Sequence, residues 1–277
     1  MPEAGGMCEV LRDAAATLEQ AGVDTPTLDA ELLLAEALGV GRERLVIEGP
    51  QAVRPEALSR FNALLARRAE REPVAYILGN KHFRWINVAV DGRVLIPRPE
   101  TELLVEIGLA VPSGSRVVDV GTGSGAVALA LGFERPDLEV WGTDVSADAI
   151  AVASDNARRL GLNVHFVEGD LLDGVPGPID AVLANLPYVA EGTPLQPEIS
   201  RFEPEDALFA GPDGLDEIRR MVAAADGVTL LALEIGPEQA DPTVEMLRSR
   251  GFRTEVIRDL AGHERVIVGR GARQRAA

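Results

Sequence analysis

Four consecutive residues offer the clearest chemistry in this chain: Asn185, Leu186, Pro187 and Tyr188. They combine an amide, a rigid proline and an aromatic ring, and they directly follow an apolar run, residues 181–184, that predicts a buried strand. Ligands of open α/β sheets bind at the carboxyl ends of strands. The tetrapeptide therefore favours a ligand site, although a plain strand-to-loop turn would also fit it.

A glycine loop is the second feature with chemical potential: Gly121, Thr122, Gly123, Ser124 and Gly125. It follows the apolar run 116–120 and precedes an alanine-rich segment, which together predict a strand, a tight turn and a helix. Glycine lets the backbone turn sharply and approach a ligand closely. In a parallel sheet, this loop and the tetrapeptide would lie at the same edge.

Three aspartates, Asp119, Asp144 and Asp170, fall at or just after the ends of three successive predicted strands. Asp144 stands where the acid of a nucleotide-binding fold holds ribose hydroxyls. Three acids at one sheet edge suit a cationic nucleoside such as S-adenosylmethionine better than a dinucleotide diphosphate. Each acid alone would fit a helix cap or a solvated loop equally well, but their joint placement favours a ligand role.

The elements that must position these residues divide the chain into three parts. Residues 1–73 carry apolar residues at helical spacing and predict a small helical domain. Residues 74–96 change to a period of two and predict a β-hairpin connector. From residue 97 to 277, strands alternate with helices and end in two strands that we expect to pair antiparallel. The predicted fold class is α/β, with a doubly wound sheet and an N-terminal helical domain.

Composition narrows the class of protein. The chain has 277 residues and is 46% hydrophobic, enough for the cores of two domains. No apolar run approaches the roughly 18 residues of a membrane span, and the start Met1-Pro2-Glu3 lacks the basic region of a signal peptide, so we expect a cytoplasmic protein without membrane partners.

Charge and cysteine content exclude further classes. The single cysteine, Cys8, and three scattered histidines predict neither disulfides nor a metal site. The net charge of -17 disfavours nucleic acid as a partner. We expect a monomer.

Motifs along nearly the whole chain resemble one family, the protein glutamine N5-methyltransferases that modify peptide chain release factors in translation termination. The similar segments are Leu28–Leu34, Arg71–Gly79, Leu95–Glu102, the glycine loop, the tetrapeptide, Glu203-Pro204, Ala207-Leu208 and Asp259–Arg265. Several motifs in one order are far more specific than any single motif.

The resemblance implies a helical domain that docks the release factor and a seven-stranded methyltransferase domain that uses S-adenosylmethionine. The implied reaction transfers a methyl group to the side-chain amide nitrogen of a glutamine. The implied cofactor-binding residues are those of the glycine loop, Asp144, Asp170 and Leu171, joined by Asp119 and Asn185. The whole tetrapeptide, residues 185–188, is implied to be catalytic.

The tetrapeptide departs from the family pattern at one position. Relatives usually carry Asn-Pro-Pro-Tyr, whereas here Leu186 replaces the first proline. Pro187 still restrains residue 186 to extended backbone angles, and the Leu186 carbonyl remains an acceptor. Our hypothesis is that Asn185 Oδ1 and this carbonyl accept the two amide hydrogens of the glutamine while Tyr188 packs on the amide plane.

Other interpretations remain open from the sequence. The chain could methylate amino groups of DNA or RNA bases, act as a non-catalytic nucleoside-binding partner of the translation machinery, or be an oxidoreductase. Arg98, Glu100 and Thr101 could close over the cofactor or simply start a helix. Glu234 could be a site acid or a buried, paired carboxylate.

Overall fold

The computed structural model describes residues 6–47 and 52–271. The described chain separates into two compact units, a helical one that ends at Gly79 and includes the later segment Leu195–Phe202, and a sheet-containing one formed by Asn80–Pro194 and the residues from Glu203 onward. The division into residues 1–73, 74–96 and 97–277 stays a prediction. The residues Met1, Pro2 and Glu3, on which the expectation of no signal peptide partly rests, lie outside the described part.

The helices of the described chain are α1 (Met7–Gln20), α2 (Pro26–Leu38), α3 (Arg42–Ile47), α4 (Pro55–Ala69), α5 (Val74–Leu78), α6 (Glu102–Leu109), α7 (Ala126–Glu134), α8 (Ala147–Leu160), α9 (Pro197–Phe202), α10 (Asp216–Ala224) and α11 (Ala240–Ser249). The strands are β1 (Asn80–Phe83), β2 (Ile86–Ala89), β3 (Arg116–Val120), β4 (Glu139–Asp144), β5 (His165–Glu168), β6 (Ala181–Ala184), β7 (Leu230–Glu234), β8 (Arg253–Arg258) and β9 (Glu264–Arg270). Within these ranges, no helix has the length and hydropathy needed to cross a bilayer.

The helical unit follows from the expected apolar spacing. Proline occupies the first turn of both α2 and α4, where its missing N–H costs nothing. Gly39 ends α2 in the left-handed conformation with φ 70°. Leu33, Leu34 and Phe61 are almost fully buried between the helices.

A buried ion-pair network holds α9 within the helical unit. Arg68 Nε donates to Asp29 Oδ2 at 2.7 Å, and Arg68 Nη2 donates to Glu198 Oε1 at 2.9 Å. Arg71 Nε also donates to Glu198 Oε1, at 2.6 Å. The side chain of Arg68 is only 6% exposed, so each charge is compensated by a hydrogen-bonded partner, as a buried charge requires.

The hairpin is shorter than we predicted from residues 74–96. Residues 74–78 form α5, which begins after Pro73 and ends at Gly79 with φ 71°. The β-branched and aromatic residues of this segment are strand-like, but Tyr76 and Ile77 are buried as part of a helix. The hairpin itself pairs β1 with β2, with Asn80 opposite Ala89, and residues 94–96 lie outside any strand.

The second unit contains a seven-stranded sheet in the order β5-β4-β3-β6-β7-β9-β8. All neighbours pair parallel except β9, which is antiparallel to β7 and to β8. The predicted α/β class and the antiparallel final hairpin are confirmed. Every residue of β6 and β7 is buried, as expected for central strands covered on both faces.

Candidate active site

A cleft lies where the strand order reverses, at the carboxyl ends of β3, β4 and β6. Its volume is about 440 Å³, within the range of small-molecule sites. The predicted site residues that line it are Gly121, Gly123, Asp144, Asp170, Leu171, Asn185, Leu186 and Pro187. The sheet brings them together because the last residue of β3, Val120, pairs with Thr143 on one side and Ala184 on the other.

The backbone of the glycine loop requires glycine at three positions. Gly121, Gly123 and Gly125 all have positive φ, at 69°, 54° and 80°, which side chains other than glycine rarely adopt. A Cβ on Gly121 would lie 3.2 Å from Leu186 Cδ2, whereas a Cβ on Gly123 would meet no protein atom within 4 Å. Space next to Gly123 is therefore free for a ligand. Thr122 and Ser124 are buried and support the loop.

Asp144 connects the loop to the second strand of the site. Its Oδ2 accepts the Gly123 N–H at 2.9 Å, and its Oδ1 accepts the Ser146 N–H at 3.0 Å. Burial raises the pKa of Asp144, while hydrogen bonds from these backbone N–H groups act in the opposite direction. The carboxyl group thus fixes the loop and also lines the cleft.

Asp119 has a different position from the other acids. It is 3% exposed, is not among the residues that line the cleft, and its Oδ2 accepts the Thr122 hydroxyl at 2.7 Å and the Ala128 N–H at 3.2 Å. Burial is the main reason that its pKa rises to about 7. Asp119 therefore holds the glycine loop from inside, and its predicted contact with the cofactor stays a prediction.

Asp170 and Leu171 line the same cleft. Asp170 is ion-paired with Arg220 from α10, a partner that no local pattern indicated. Leu171 has φ 52°, unusual for a leucine, and its carbonyl accepts the Thr143 hydroxyl at 2.6 Å. This hydrogen bond stabilises the strained turn that places Leu171 at the cleft.

The tetrapeptide divides between the cleft and the interior. Asn185 Nδ2 donates to Thr101 Oγ1 at 3.1 Å, while Leu186 is buried, with 6% exposure. Tyr188 is not among the residues lining the cleft; its hydroxyl lies 3.5 Å from Glu234 Oε1, and burial raises its pKa to about 12. The Tyr188 carbonyl accepts Gln239 Nε2 at 3.0 Å, which fixes the chain after Pro187.

Two further residues support the site, and one of them, Glu203, was not predicted as a site residue. Glu203 has a 1% exposed side chain; it accepts Arg98 Nη2 at 2.6 Å and the Ile96 N–H at 3.3 Å. This pairing fixes the segment that brings Leu95 to the cleft. The signal was the Glu203-Pro204 motif, but no spacing linked it to Arg98. Thr101 was expected either to close over the cofactor or to start a helix, and in the structure its hydroxyl accepts Asn185 Nδ2.

The residues around the cleft fit S-adenosylmethionine. The glycine loop leaves open space beside Gly123, Asp144 offers carboxylate oxygens for ribose hydroxyls, and Leu171 offers an apolar surface for a base. The neighbouring tetrapeptide supplies polar atoms from Asn185 at the same cleft. A nucleoside and an amide-bearing group can therefore bind side by side.

The sheet order, the antiparallel final hairpin and a cleft at the order reversal define an α/β methyltransferase fold. A solved methyltransferase from Pyrococcus furiosus shares this fold, with a TM-score of 0.51 and 16% identity over 67% of this chain and 89% of that chain. The PrmC N-terminal domain model matches residues 9–79, and the Methyltransferase small domain model matches residues 99–200.

Curated relatives then specify the family. The chain is 40% identical to a release factor glutamine methyltransferase from Deinococcus radiodurans, over 95% of this chain and 98% of that protein. It is also 40% identical to one from Rhodospirillum rubrum, over 94% of this chain and 82% of that protein. This chain belongs to the release factor glutamine methyltransferase family, which confirms the resemblance identified from the motifs.

Proposed function

We propose that this chain transfers the methyl group of S-adenosylmethionine to the side-chain amide nitrogen of a glutamine in a peptide chain release factor. One observation carries the proposal: Asn185, held by Thr101, lies at the same cleft as the glycine loop and Asp144. The relatives named release factor glutamine methyltransferases supply the substrate class. Because release factors act in translation termination, we also propose a cytoplasmic location.

The cofactor would be held by the glycine loop backbone, the carboxylate of Asp144 and the turn at Asp170 and Leu171. When bound there, S-adenosylmethionine would supply an electrophilic methyl group on a positively charged sulfur. The protein's part is to orient the acceptor and to exclude water. The buried Leu186 lies beside Gly121, where a Cβ would come within 3.2 Å of Leu186 Cδ2.

Asn185 and the Leu186 carbonyl would orient the substrate glutamine. An amide nitrogen is a poor nucleophile because its lone pair is delocalised into the carbonyl, so orientation matters more than removal of a proton. Two acceptors for the two N–H bonds would turn the nitrogen towards the methyl carbon and stabilise the positive charge that develops on nitrogen. Holding the reacting atoms about 3 to 3.5 Å apart can contribute roughly 7 to 11 kcal/mol.

The ring and the hydroxyl of Tyr188 would have separate roles in substrate binding. We propose that the ring packs against the substrate amide while the hydroxyl stays near Glu234. Since burial raises the pKa of Tyr188 to about 12, the phenol remains protonated and acts as a donor. It therefore supports the site without taking part as a base.

Mass spectrometry of a release factor tests the function. The release factor is incubated with this chain and S-adenosylmethionine, and we expect a gain of one methyl group on one glutamine. A release factor in which that glutamine is replaced by glutamate is the control and should gain none. Cofactor binding without any methylation would instead support a non-catalytic nucleoside-binding role.

A tritium-transfer assay separates protein from nucleic acid substrates. We expect label from the cofactor to enter the release factor and not DNA or RNA, because a chain with a net charge of -17 and 4% aromatic residues offers little to bind and stack a flipped base. Label in nucleic acid alone would overturn the proposed substrate.

A further inference from the structure

Glu234 is a buried carboxyl group that the proposed mechanism does not yet use. It ends β7 and is 2% exposed. Its Oε1 lies 3.5 Å from the Tyr188 hydroxyl, and its Oε2 has no hydrogen-bond partner within the part of the chain that the structure describes. Since an unsatisfied buried carboxyl oxygen is costly, a purely structural role explains this residue poorly.

Thr101 connects Glu234 to the substrate motif. It is 5% exposed and accepts Asn185 Nδ2 at 3.1 Å. Its hydroxyl also lies close enough to Glu234 to oppose the effect of burial on the pKa of that carboxyl. Glu234 therefore reaches both ends of the tetrapeptide, through Thr101 to Asn185 and directly to Tyr188.

The direction of these hydrogen bonds decides whether Asn185 offers its oxygen or its NH₂ group to a substrate. A threonine hydroxyl has one proton to donate and lone pairs to accept with. When that proton goes to the Glu234 carboxylate, the Thr101 oxygen is left as an acceptor for Asn185 Nδ2. Asn185 Oδ1 is then free to accept an N–H from a substrate amide.

We propose that Glu234 is a positioning residue that, through Thr101, fixes the side-chain amide of Asn185 with its oxygen towards the substrate glutamine. The inference rests on the proposed function, which makes Asn185 Oδ1 the acceptor. Glu234 forms or breaks no covalent bond in the reaction. Its second contact, with the Tyr188 hydroxyl, restrains the other end of the same motif.

The arrangement makes turnover depend on the protonation of Glu234. Burial raises its pKa to about 7; Glu100 raises it further, and Arg265 and the Tyr188 hydroxyl lower it. Once protonated, Glu234 can donate its own O–H to the Thr101 oxygen, and Thr101 can then donate its proton to Asn185 Oδ1. Asn185 would then present its NH₂ group, which cannot accept a substrate N–H, so the rate should fall below about pH 7.

The test measures kcat and KM for the release factor from pH 6 to pH 9 at saturating S-adenosylmethionine. We expect Glu234→Gln to lower kcat by about 10- to 100-fold, as for other supporting partners of functional groups, and to remove the acidic limb of its pH profile. Thr101→Val should lower kcat similarly. Thr101→Ser, which keeps the hydroxyl, should stay within a few-fold of wild type.

Controls separate positioning from folding. Thr243 is fully buried and its hydroxyl has no partner in the described chain, so Thr243→Val is a matched variant of a buried threonine and should leave kcat and the pH profile unchanged. Affinity for S-adenosylhomocysteine should stay the same in every variant, because the cofactor residues are untouched.

The two proposals fail in distinguishable ways. If wild type does not methylate the release factor at any pH, the proposed function is wrong. If wild type is active but Glu234→Gln keeps its kcat and its acidic limb, or Thr101→Val is as active as Thr101→Ser, the positioning role of Glu234 is wrong.

Discussion

The hydrogen bond between Asn185 and Thr101 affects which group of the Asn185 amide is available to a ligand. Its side chain can offer either an acceptor or a donor to a ligand. The hydrogen bond from Nδ2 to Thr101 at 3.1 Å occupies the donor group of this side chain, and in the proposed function Oδ1 is the group that meets the substrate. An acceptor is what an amide nitrogen about to gain positive charge requires.

Replacing Asn185 tests this assignment directly. Asn185→Ala should lower turnover by about 100- to 1,000-fold, the usual loss for one oriented polar group at a reacting centre. Because it makes one hydrogen bond to another side chain, the cost in folding free energy should be only about 1 kcal/mol. Turnover is measured by methyl transfer to the release factor, and folding by thermal unfolding.

The exposed Asn163 in the sheet-containing unit is the matched control, and Asn163→Ala should leave turnover unchanged. The assignment of Asn185 is wrong if Asn185→Ala methylates within a few-fold of wild type.

Among the elements, the glycine loop between β3 and α7 combines backbone strain with open space. Positive φ at all three glycines allows the turn, and Thr122 N–H donates to the Thr143 carbonyl at 2.9 Å, which fixes the loop to β4. Since the loop is held by Asp119 and Asp144 as well, it is preformed for a ligand. Preformed sites avoid the entropy cost of ordering on binding.

A pair of glycine variants separates strain from ligand contact. Gly123 and Gly227 both have positive φ, and a Cβ on either would meet no protein atom within 4 Å. Gly123→Ala and Gly227→Ala should each cost about 1 to 2 kcal/mol of folding free energy. Only Gly123→Ala should weaken S-adenosylhomocysteine binding, by about tenfold or more, equivalent to about 1.4 kcal/mol.

Calorimetric titration and thermal unfolding measure the two effects. Equal cofactor affinity in both glycine variants would show that Gly123 does not approach the ligand. Equal loss of affinity in both would show that strain, and not contact, controls binding.

For the whole molecule, buried carboxyl groups link stability to pH. Burial raises the pKa of Asp119 to about 7 in the folded chain, above the value of about 3.9 in an unfolded chain. Between these values, the unfolded state loses the proton while the folded state keeps it. This group therefore makes stability fall as pH rises from about 4 to 7 and has no further effect above that range.

Asp119→Asn removes this titration. The stability of the variant relative to wild type should rise by up to about 4 kcal/mol between pH 4 and pH 7 and then level off. Thermal unfolding at a series of pH values measures the difference. A stability difference between Asp119→Asn and wild type that stays constant from pH 4 to pH 7 would contradict the linkage.

The sequence by itself determined the class of fold and most of the cleft. Strand, loop and helix periods are local properties of the chain, so the pattern predicted β3, the glycine loop and α7. Parallel strands have their carboxyl ends at the same edge of the sheet, where ligands bind. The strand directions alone therefore predicted that this loop and residues 185–188 share a site.

Only the tertiary structure decided which partners complete the site. Asn185 meets Thr101 across 84 positions of sequence, and Tyr188 meets Glu234 across 46. These meetings depend on β6 lying between β3 and β7, which no local period encodes. The same reason explains α5, where a strand-like segment became helical because burial of Tyr76 and Ile77 outweighed its local preference.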